Sequence, residues 1–541
     1  MGFGDAQEKL GRVGLPEPVA AFAARDWDAV VVGGGHNGLT AAAYLARGGQ
    51  SVLVLERRDR LGGACTLERP FEDQGYLVSP CAYVVGLLDD LVVEELELKR
   101  RGYRVFAVDP NTWCPFTDGT AFAEFLDDAR TEAYLREQGF TAKDAAGVIA
   151  YEGAYDRIRR ALRKGERDSW LGSSPSRAEL EEMLGGDEEL ISICFEAPIT
   201  EVIDRYVGDP RLRDALSAQG VIGAYAGSGD PGTAAIKLMH SQGDLGGGGP
   251  NWSYVEGGMG RVSFAIAEAA QEAGAALAAG VPVARIVPGE GVELESGELI
   301  RARTVVSNAD PKRTLSMLDA DAVPGDFRNR IDSWQVRSPV VKLNAGLKRL
   351  PTFTAVGEVE PTRAMVTITR GVDSIQDAFA ACERGEPAIG FCELYFQTAY
   401  DPTVAPPGKH TMSAFCQYGP YELAEGDWDS RRDEIGGMIL DEIAVHAPDV
   451  HDCVEFMDVL GPPDIESRLG LTGGCIFQGE AMPSQMWDNR LDHRTPVPGL
   501  YLCGAATHPA GSVIALNGRN AAMAVLEDAG VEVPASASSQ G

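Results

Sequence analysis

Hydrophobic residues recur in short blocks near the start of the chain, and their periodicity changes from block to block. Residues 29–32 form an apolar, β-branched run, which predicts a strand buried on both faces. Residues 39–47 are rich in alanine and favour a helix, whereas residues 51–55 form a second strand-like run that ends at Glu56. The pattern predicts a strand, a helix and a second strand in succession.

The turn between the first strand and the helix has glycines in the spacing G-x-G-x-x-G. Gly33 permits the tight turn, Gly35 lets the backbone approach a pyrophosphate, and Gly38 lets the helix pack closely on the strand. The helix N-terminus offers free N–H groups to phosphates. Glu56 stands where a carboxylate accepts the hydroxyls of a ribose. This unit is therefore predicted to bind a dinucleotide.

A second match to the glycine spacing occurs at Gly227, Gly229 and Gly232. Because glycine makes up 64 of the 541 residues, about one accidental match is expected. This one contains Pro231, and no acidic residue ends a second strand at the right distance beyond it. We expect a loop there and a single nucleotide site in the chain.

The remaining segments predict an α/β fold whose cofactor domain is discontinuous. Residues 120–220 have helical periodicity, strand-like runs separated by turn residues fill 282–309, and a last strand and helix occupy 499–504 and 517–530. We assign residues 26–100, 251–330 and 486–530 to the cofactor domain, and 101–250 and 331–485 to an inserted α+β substrate domain. Residues 1–25 form an N-terminal extension and residues 531–541 a disordered tail.

Composition narrows the classes of partner and cofactor. A net charge of −32 argues against nucleic acid and against anionic lipid as partners. The 10 cysteines show no C-x-x-C pair, so we expect no dithiol centre and a reducing cytoplasm. The histidine spacings predict no metal site. No apolar run is long enough to span a membrane, and the N-terminus lacks the pattern of a signal peptide.

Further motifs give the chain a family resemblance. The acid is followed by Arg60-Leu-Gly-Gly, and later come Glu256-Gly-Gly-Met-Gly, Gly499-Leu-Tyr-Leu-Cys-Gly and Asn517-Gly-Arg-Asn. Together these motifs resemble the glutathione-reductase-like FAD-binding proteins of the amine oxidase and phytoene desaturase superfamily. Within it, residues 26–530 are similar to the phytoene desaturase and carotenoid isomerase-type branch. The resemblance implies a Rossmann domain that binds FAD without a covalent bond, and an oxidoreductase activity.

The resemblance also implies a role for individual residues. FAD would lie extended, with its pyrophosphate at Gly33, Gly35, Asn37 and Gly38, its adenosine ribose at Glu56 and its adenine at Val283. Arg57, Gly62, Gly63 and Ala64 would lie beside the cofactor. Gly504 and Ala505 would contact the phosphate and ribityl region, and Asn517 and Gly518 the flavin pyrimidine. Ala64 and Ala505 depart from the superfamily, which often has Arg and Asp there. These departures weaken an amine oxidase interpretation.

Flavin N5 takes or gives a hydride, so few side chains are needed for the chemistry. His508 is our candidate general base, the alternative being a packing histidine beside Pro509. Lys342 could orient a water near the flavin, although a lysine on a strand is more often solvated at the surface. Residues 231–240 resemble a family segment near the substrate tunnel and are otherwise core. Aromatic residues could line an apolar pocket, the candidates being Tyr395, Phe396 and Tyr421.

We expect an FAD-dependent desaturase, dehydrogenase or isomerase that acts on an apolar small molecule. With no second nucleotide unit, the predicted electron acceptor is oxygen, a quinone or an electron carrier. Two alternatives stay open: a flavin amine oxidase, and a non-catalytic binder of prenylated proteins similar to the guanine-nucleotide dissociation inhibitors. We expect a cytoplasmic protein, and association with a membrane surface stays open because family substrates are lipophilic.

Overall fold

The computed structural model describes residues 10–71, 74–245, 249–355 and 357–531. Beyond its first residue, the tail predicted at 531–541 lies outside the described residues, as do the first nine residues of the predicted N-terminal extension. The described part of that extension packs against the protein, since Leu10 and Phe22 are buried.

Helices and strands both occur along the whole described chain. The helices are α1 (Val19–Ala23), α2 (His36–Arg47), α3 (Asp90–Glu95), α4 (Asp128–Glu137), α5 (Ala142–Arg163), α6 (Arg177–Met183), α7 (Glu188–Phe195), α8 (Ile199–Tyr206), α9 (Pro210–Ser217), α10 (Ala234–His240), α11 (Gly260–Glu272), α12 (Pro311–Ser316), α13 (Gly325–Ser333), α14 (Val372–Glu383), α15 (Trp428–Ala444), α16 (Val450–Cys453), α17 (Pro462–Leu469) and α18 (Leu516–Asp528). The strands are β1 (Trp27–Val32), β2 (Val52–Glu56), β3 (Val105–Ala107), β4 (Thr112–Pro115), β5 (Ala121–Glu124), β6 (Ser253–Val255), β7 (Ala276–Ala279), β8 (Val283–Val287), β9 (Gly291–Leu294), β10 (Leu299–Ser307), β11 (Val340–Leu347), β12 (Met365–Thr369), β13 (Phe391–Tyr395), β14 (His410–Gln417), β15 (Val454–Leu460) and β16 (Leu500–Leu502).

The first sheet contains the predicted dinucleotide unit. Its order is β7-β2-β1-β10-β9-β8, and β16 also pairs with β10. Strands β2, β1, β10 and β16 run parallel, and the β8–β9 ribbon returns the chain to the sheet, as the sequence predicts. Helices α11 and α18 pack on α2. The central strand β1 is apolar because it is covered on both faces, with Val30 and Val31 fully buried.

The second sheet is mainly antiparallel and lies within the predicted substrate domain. Its order is β15-β11-β14-β13-β12-β4-β5, with one parallel pair between β12 and β4. Alternate residues of β11, such as Val341 and Leu343, belong to the hydrophobic core on the face that α15 covers. The two sheets confirm the predicted α/β fold class with its inserted α+β part; the exact domain boundaries stay predictions.

Helices α4–α10 form a separate layer between β5 and β6 in the chain. The second glycine match lies there as a turn, in which the Gly227 N–H donates to Asp230, and it leads into α10. That segment is a loop, as predicted. Among the described residues, no helix is both long and apolar enough to cross a membrane.

Candidate active site

The turn between β1 and α2 is closed by backbone contacts that only glycine allows. Gly33 has a φ of +101°, and a Cβ on Gly38 would lie 2.2 Å from the Gly33 carbonyl oxygen. The Asn308 side-chain amide also donates to that oxygen over 3.2 Å. The turn therefore brings bare backbone and the α2 N-terminus to one point, which suits a pyrophosphate.

Glu56 ends β2 beside this turn. Its two carboxylate oxygens accept the N–H groups of Gly34 and Arg58, each over 2.8 Å. Burial raises its pKa, and the two backbone donors oppose that rise. Each carboxylate oxygen keeps a second lone pair, so Glu56 can still accept hydroxyl donors from a ribose.

A cavity of about 1020 Å³ extends from this turn to the second sheet. Nine of the predicted cofactor residues line it, and we call them the cofactor arm: Gly33, Gly35, Asn37, Glu56, Arg57, Gly63, Ala64, Val283 and Ala505. The arm therefore combines the bare backbone of the glycine turn, the acid Glu56 at the end of β2 and the N-terminus of α2. These features fit an extended dinucleotide.

Five predicted cofactor residues are absent from the cavity lining formed by the described residues: Gly38, Gly62, Gly504, Asn517 and Gly518. Gly518 packs on α2, where a Cβ would lie 2.1 Å from the Asn37 carbonyl oxygen. The Asn517 amide donates to the carbonyl oxygens of Thr507 and Ala510. Their side-chain positions therefore serve packing.

The loop before α18 also contributes to the cavity wall, and the approach of Asn517 and Gly518 to the flavin stays a prediction. Ser512 and Val513 line the cavity. Ser512 has a φ of +99° and Ala515 a φ of +69°, conformations that cost energy for residues other than glycine. Nothing in the local sequence indicates this strain, because neither residue favours a left-handed conformation.

His508 is absent from the lining that the described residues form, although its sequence position suggested a base near the flavin. It is buried, and its Nε2 donates to the Ser169 carbonyl oxygen over 2.8 Å. Burial lowers its pKa to about 3. A neutral ring held by a backbone carbonyl fits the packing alternative, and the structure gives the general-base hypothesis no support.

Lys342 corrects the expectation of a solvated strand lysine. Its side chain lines the cavity and is only 3% exposed. Its Nζ lies 4.0 Å from the ring centre of Phe415 and 4.6 Å from that of Tyr83. Burial lowers the pKa of Lys342 to about 8, while the charge of Glu393 opposes the change. The amine can therefore gain or lose a proton near neutral pH.

Lys342 begins a row of cavity-lining residues that crosses the second sheet. Strand register places the members side by side: Lys342, Phe415, Glu393 and Thr367, then Met365, Thr112 and Glu124. We call this row, together with the cavity-lining rings of Tyr83 and Tyr395, the substrate arm. It involves six strands about 4.8 Å apart, so Lys342 and Glu124 stand roughly 24 Å apart along the row.

The predicted aromatic residues divide between three environments. Tyr395 lines the cavity, and its hydroxyl donates to Glu393 over 2.8 Å. Phe396 belongs to the core on the other face of the sheet. Tyr421 is 43% exposed and bonds to Glu466, so it lines no apolar pocket. Of residues 231–240, Lys237 and His240 reach the cavity and the apolar members are core.

Arg490 is a site residue that sequence reasoning missed. Its buried guanidinium donates to backbone carbonyls of two segments, among them Phe477 and Ala505. Both of these residues line the cavity. Arg490 therefore fixes the wall beside the cofactor arm, and nothing local in the sequence distinguishes it from a surface arginine.

The cysteines of the described residues are all buried as free thiols, and Cys81 lines the cavity. Cys392 and Cys416 do meet across β13 and β14 with their sulfurs 3.3 Å apart, which the sequence spacing did not predict. The mutual hydrogen bond and burial hold the pKa of Cys392 well above its usual value, so this thiol stays protonated. In the described ranges, no group of three or more His, Cys, Asp and Glu residues could hold a metal ion.

Comparison with known proteins identifies the family. A model of flavin containing amine oxidoreductases matches residues 156–526, and a model of NAD(P)-binding Rossmann-like domains matches residues 31–85. The solved structure of wild-type putrescine oxidase bound to putrescine aligns with a TM-score of 0.60 at 16% identity, covering 94% of this chain and 99% of that chain. This likeness shows the fold.

Relatives in sequence cover almost the whole chain. Mouse pyridine nucleotide-disulfide oxidoreductase domain-containing protein 2 is 33% identical over 93% of this chain and 94% of its own length. A limonene dehydrogenase component of Castellaniella defragrans is 26% identical over 94% and 95%. The 4,4'-diaponeurosporene oxygenase of Staphylococcus aureus is 26% identical over 53% and 57%. The predicted phytoene desaturase-like resemblance is confirmed. The chain belongs to the family of flavin containing amine oxidoreductases, and its cofactor is FAD.

Proposed function

We propose that the chain moves a hydride between a C–H bond of an elongated apolar substrate and FAD, as a desaturase, dehydrogenase or isomerase. The observation behind this proposal is the continuous cavity, which joins the cofactor arm to a substrate arm where aromatic and apolar side chains such as Tyr83, Phe415 and Met365 alternate with polar ones. Bound FAD would supply hydride acceptance at its N5 atom. The relatives named for limonene and for 4,4'-diaponeurosporene support an apolar substrate.

The side chains have separate tasks in this proposal. Glu56 would hold the ribose hydroxyls, and the turn at Gly33 and Gly35 the pyrophosphate. The rings of Tyr83 and Phe415 would exclude water from the reacting carbon. Lys342 would hold or release a proton at Nζ, since burial brings its pKa to about 8.

Anaerobic mixing tests the proposal. Purified holoprotein is mixed with apolar alkenes, terpenes and polyenes, and the flavin absorption band is followed. We expect bleaching of this band with at least one apolar substrate and a product that has lost two hydrogens, or a rearranged product without net bleaching. Turnover confined to primary amines would contradict the proposal.

A flavin amine oxidase is the second candidate, because the structure places a lysine and aromatic rings together. Such an enzyme is expected to have an aromatic cage and a flavin-facing lysine, and Lys342 with Tyr83, Tyr395 and Phe415 resembles that arrangement. However, a protonated Lys342 would repel an ammonium substrate. If this candidate is right, amines bleach the flavin faster as the pH rises above about 8.

For the acceptor we propose oxygen, a quinone or an electron carrier. The sequence has one dinucleotide unit, and the second glycine match forms a turn before α10. Rapid stoichiometric reduction of the flavin by NADPH would contradict this part. We also infer a cytoplasmic location from the scattered cysteines of the sequence.

A further inference from the structure

The end of the substrate arm opposite Lys342 is polar. Glu124 on β5 lies near Glu152 of α5 and Lys237 of α10, and Tyr155 of α5 lies near Lys237. All four residues line the cavity. We call these four residues the polar wall. They belong to the layer of helices and its adjoining strand, apart from the cofactor arm.

Two atoms of the polar wall have unused hydrogen-bonding capacity. Lys237 Nζ lies 2.9 Å from Glu152 Oε2, and it stands 5.0 Å from the ring centre of Tyr155. Glu152 Oε1 is buried without a hydrogen-bond partner among the described residues. The buried Tyr155 hydroxyl makes no hydrogen bond of normal geometry there, although the Tyr151 hydroxyl is close to it. Tyr155 is itself only 1% exposed. Buried polar atoms without a partner are costly, so a ligand group that bonds to them gains affinity.

Glu124 adds a proton donor. Burial and the nearby charge of Glu152 raise its pKa to about 8, whereas Lys237 opposes the rise and Asp128 of α4 adds to it. At neutral pH, Glu124 is therefore protonated, and it lies beside the ion pair of Glu152 and Lys237. The wall then has no net charge, two O–H donors and a carboxylate acceptor.

We propose that the polar wall binds an uncharged hydroxyl group at the far end of an elongated, otherwise apolar substrate. The hydroxyl would donate to Glu152 Oε1 and accept from Tyr155 or Glu124. An ammonium group or a carboxylate would add an unpaired charge to a buried wall in which the charges of Lys237 and Glu152 already compensate each other, whereas a hydroxyl would not. Because the row from Lys342 to Glu124 measures roughly 24 Å, the wall selects for substrate length as well as polarity.

This inference rests on the proposed function, because it takes the substrate into the same cavity. Binding and turnover are therefore measured separately. The probes are 1-alkanols of increasing chain length, with n-alkanes, 1-aminoalkanes and carboxylic acids of matched length. The readouts are the visible spectrum of the holoprotein and the fluorescence of the protein, since Trp252 lines the cavity.

We expect affinity for 1-alkanols to rise with chain length until the hydroxyl reaches the wall, and then to exceed that for the matched alkane, amine and acid about tenfold. Tyr155→Phe should lower alkanol affinity about three- to tenfold and leave alkane affinity unchanged. Tyr206→Phe is the matched control, because its hydroxyl bonds to Glu189 outside the cavity lining that the described residues form.

A pH titration gives a second test that does not depend on Tyr155. Alkanol affinity of the wild type should fall as the pH rises through about 8, because Glu124 loses its proton. In Glu124→Gln, which keeps a neutral side chain, affinity should not change over this range. Any of four results would overturn the proposal. These are equal affinity for alkanol and alkane, tighter binding of the amine, no response to any probe, or a Tyr155→Phe variant whose alkanol affinity is unaltered. Alkanol selectivity in a protein that neither oxidises nor rearranges any of the alkenes, terpenes and polyenes would contradict the proposed function instead.

Discussion

The cofactor arm and the substrate arm belong to one cavity, yet their residues come together in different ways. Most of the cofactor arm lies between Gly33 and Ala64, within one strand–turn–helix–strand unit and the loop that follows. The row in the substrate arm involves residues from Thr112 to Phe415 on six strands. The residues of the cofactor arm are brought together by their spacing along one stretch of chain. Those of the substrate arm are brought together by the register between strands that are far apart in sequence.

The two arms also differ in what determines the pKa of a buried glutamate. Glu56 accepts two backbone N–H groups, which oppose the effect of burial on its pKa. No such backbone donor is among the causes that act on Glu124, whose pKa rises to about 8. In the cofactor arm, backbone dipoles thus partly offset the effect of burial on a carboxyl group. In the substrate arm, burial and a neighbouring acid favour the protonated form of Glu124.

The strongest test of the locally encoded arm is Gly38→Ala. The new Cβ would lie 2.2 Å from the Gly33 carbonyl oxygen, so β1 and α2 must separate. We expect the purified variant to lose its flavin absorbance and about 2–4 kcal/mol of unfolding free energy. Gly437→Ala is the control, since a Cβ on this α15 residue meets nothing within 4 Å among the described residues. A Gly38→Ala protein with full FAD content would show that the turn tolerates a side chain.

Lys342→Met tests the chemistry of the substrate arm. We expect the rate of flavin reduction by substrate to fall about 10²–10⁴-fold, as for loss of a proton-transfer group. Unfolding free energy below pH 8 should rise, because the variant no longer buries an ammonium group.

The pH dependence of stability separates this role from simple packing. The folded protein binds the Lys342 proton with a pKa of about 8 and the unfolded chain with one of 10.5, so wild-type stability should rise by up to about 3 kcal/mol between these values. In Lys342→Met that rise should disappear when chemical denaturation is followed across the range. An unchanged rate together with an unchanged pH profile would remove Lys342 from the mechanism.

The contrast between the arms explains how far the sequence could predict the site. The strand–turn–helix–acid unit followed from residues close together in the chain, and FAD and the fold class followed from the family resemblance of motifs along it. Lys342 was expected at the surface because strand alternation cannot show which face a cavity takes. Ser512 and Val513 line the cavity through a strained loop before α18, whose conformation depends on tertiary packing and could not be predicted from the local sequence. Glu124 on β5 and Glu152 on α5 come near each other only in the tertiary structure.

Glu56→Gln sharpens the comparison between the two acids. An amide has one oxygen, so its NH₂ group must face either the Gly34 or the Arg58 N–H. We expect FAD affinity and unfolding free energy to fall by about 1–3 kcal/mol each, measured by flavin release and by denaturation. Glu124→Gln should cost little at neutral pH, because it replaces a protonated acid. Equal effects of the two substitutions would contradict the distinction between a carboxylate and a carboxylic acid.

The smallest catalytic effect is expected at His508, next to the cofactor arm in sequence but absent from the cavity lining of the described residues. His508→Gln should keep a donor near the Ser169 carbonyl oxygen and change the flavin reduction rate by less than about threefold. Unfolding free energy should fall by about 1–2 kcal/mol because the buried ring is lost. Since burial lowers the pKa of His508 to about 3, the pH profile of reduction between pH 5 and 9 should match that of the wild type. A large rate loss with an altered profile would restore His508 as the base and show that the cavity extends to it when substrate is bound.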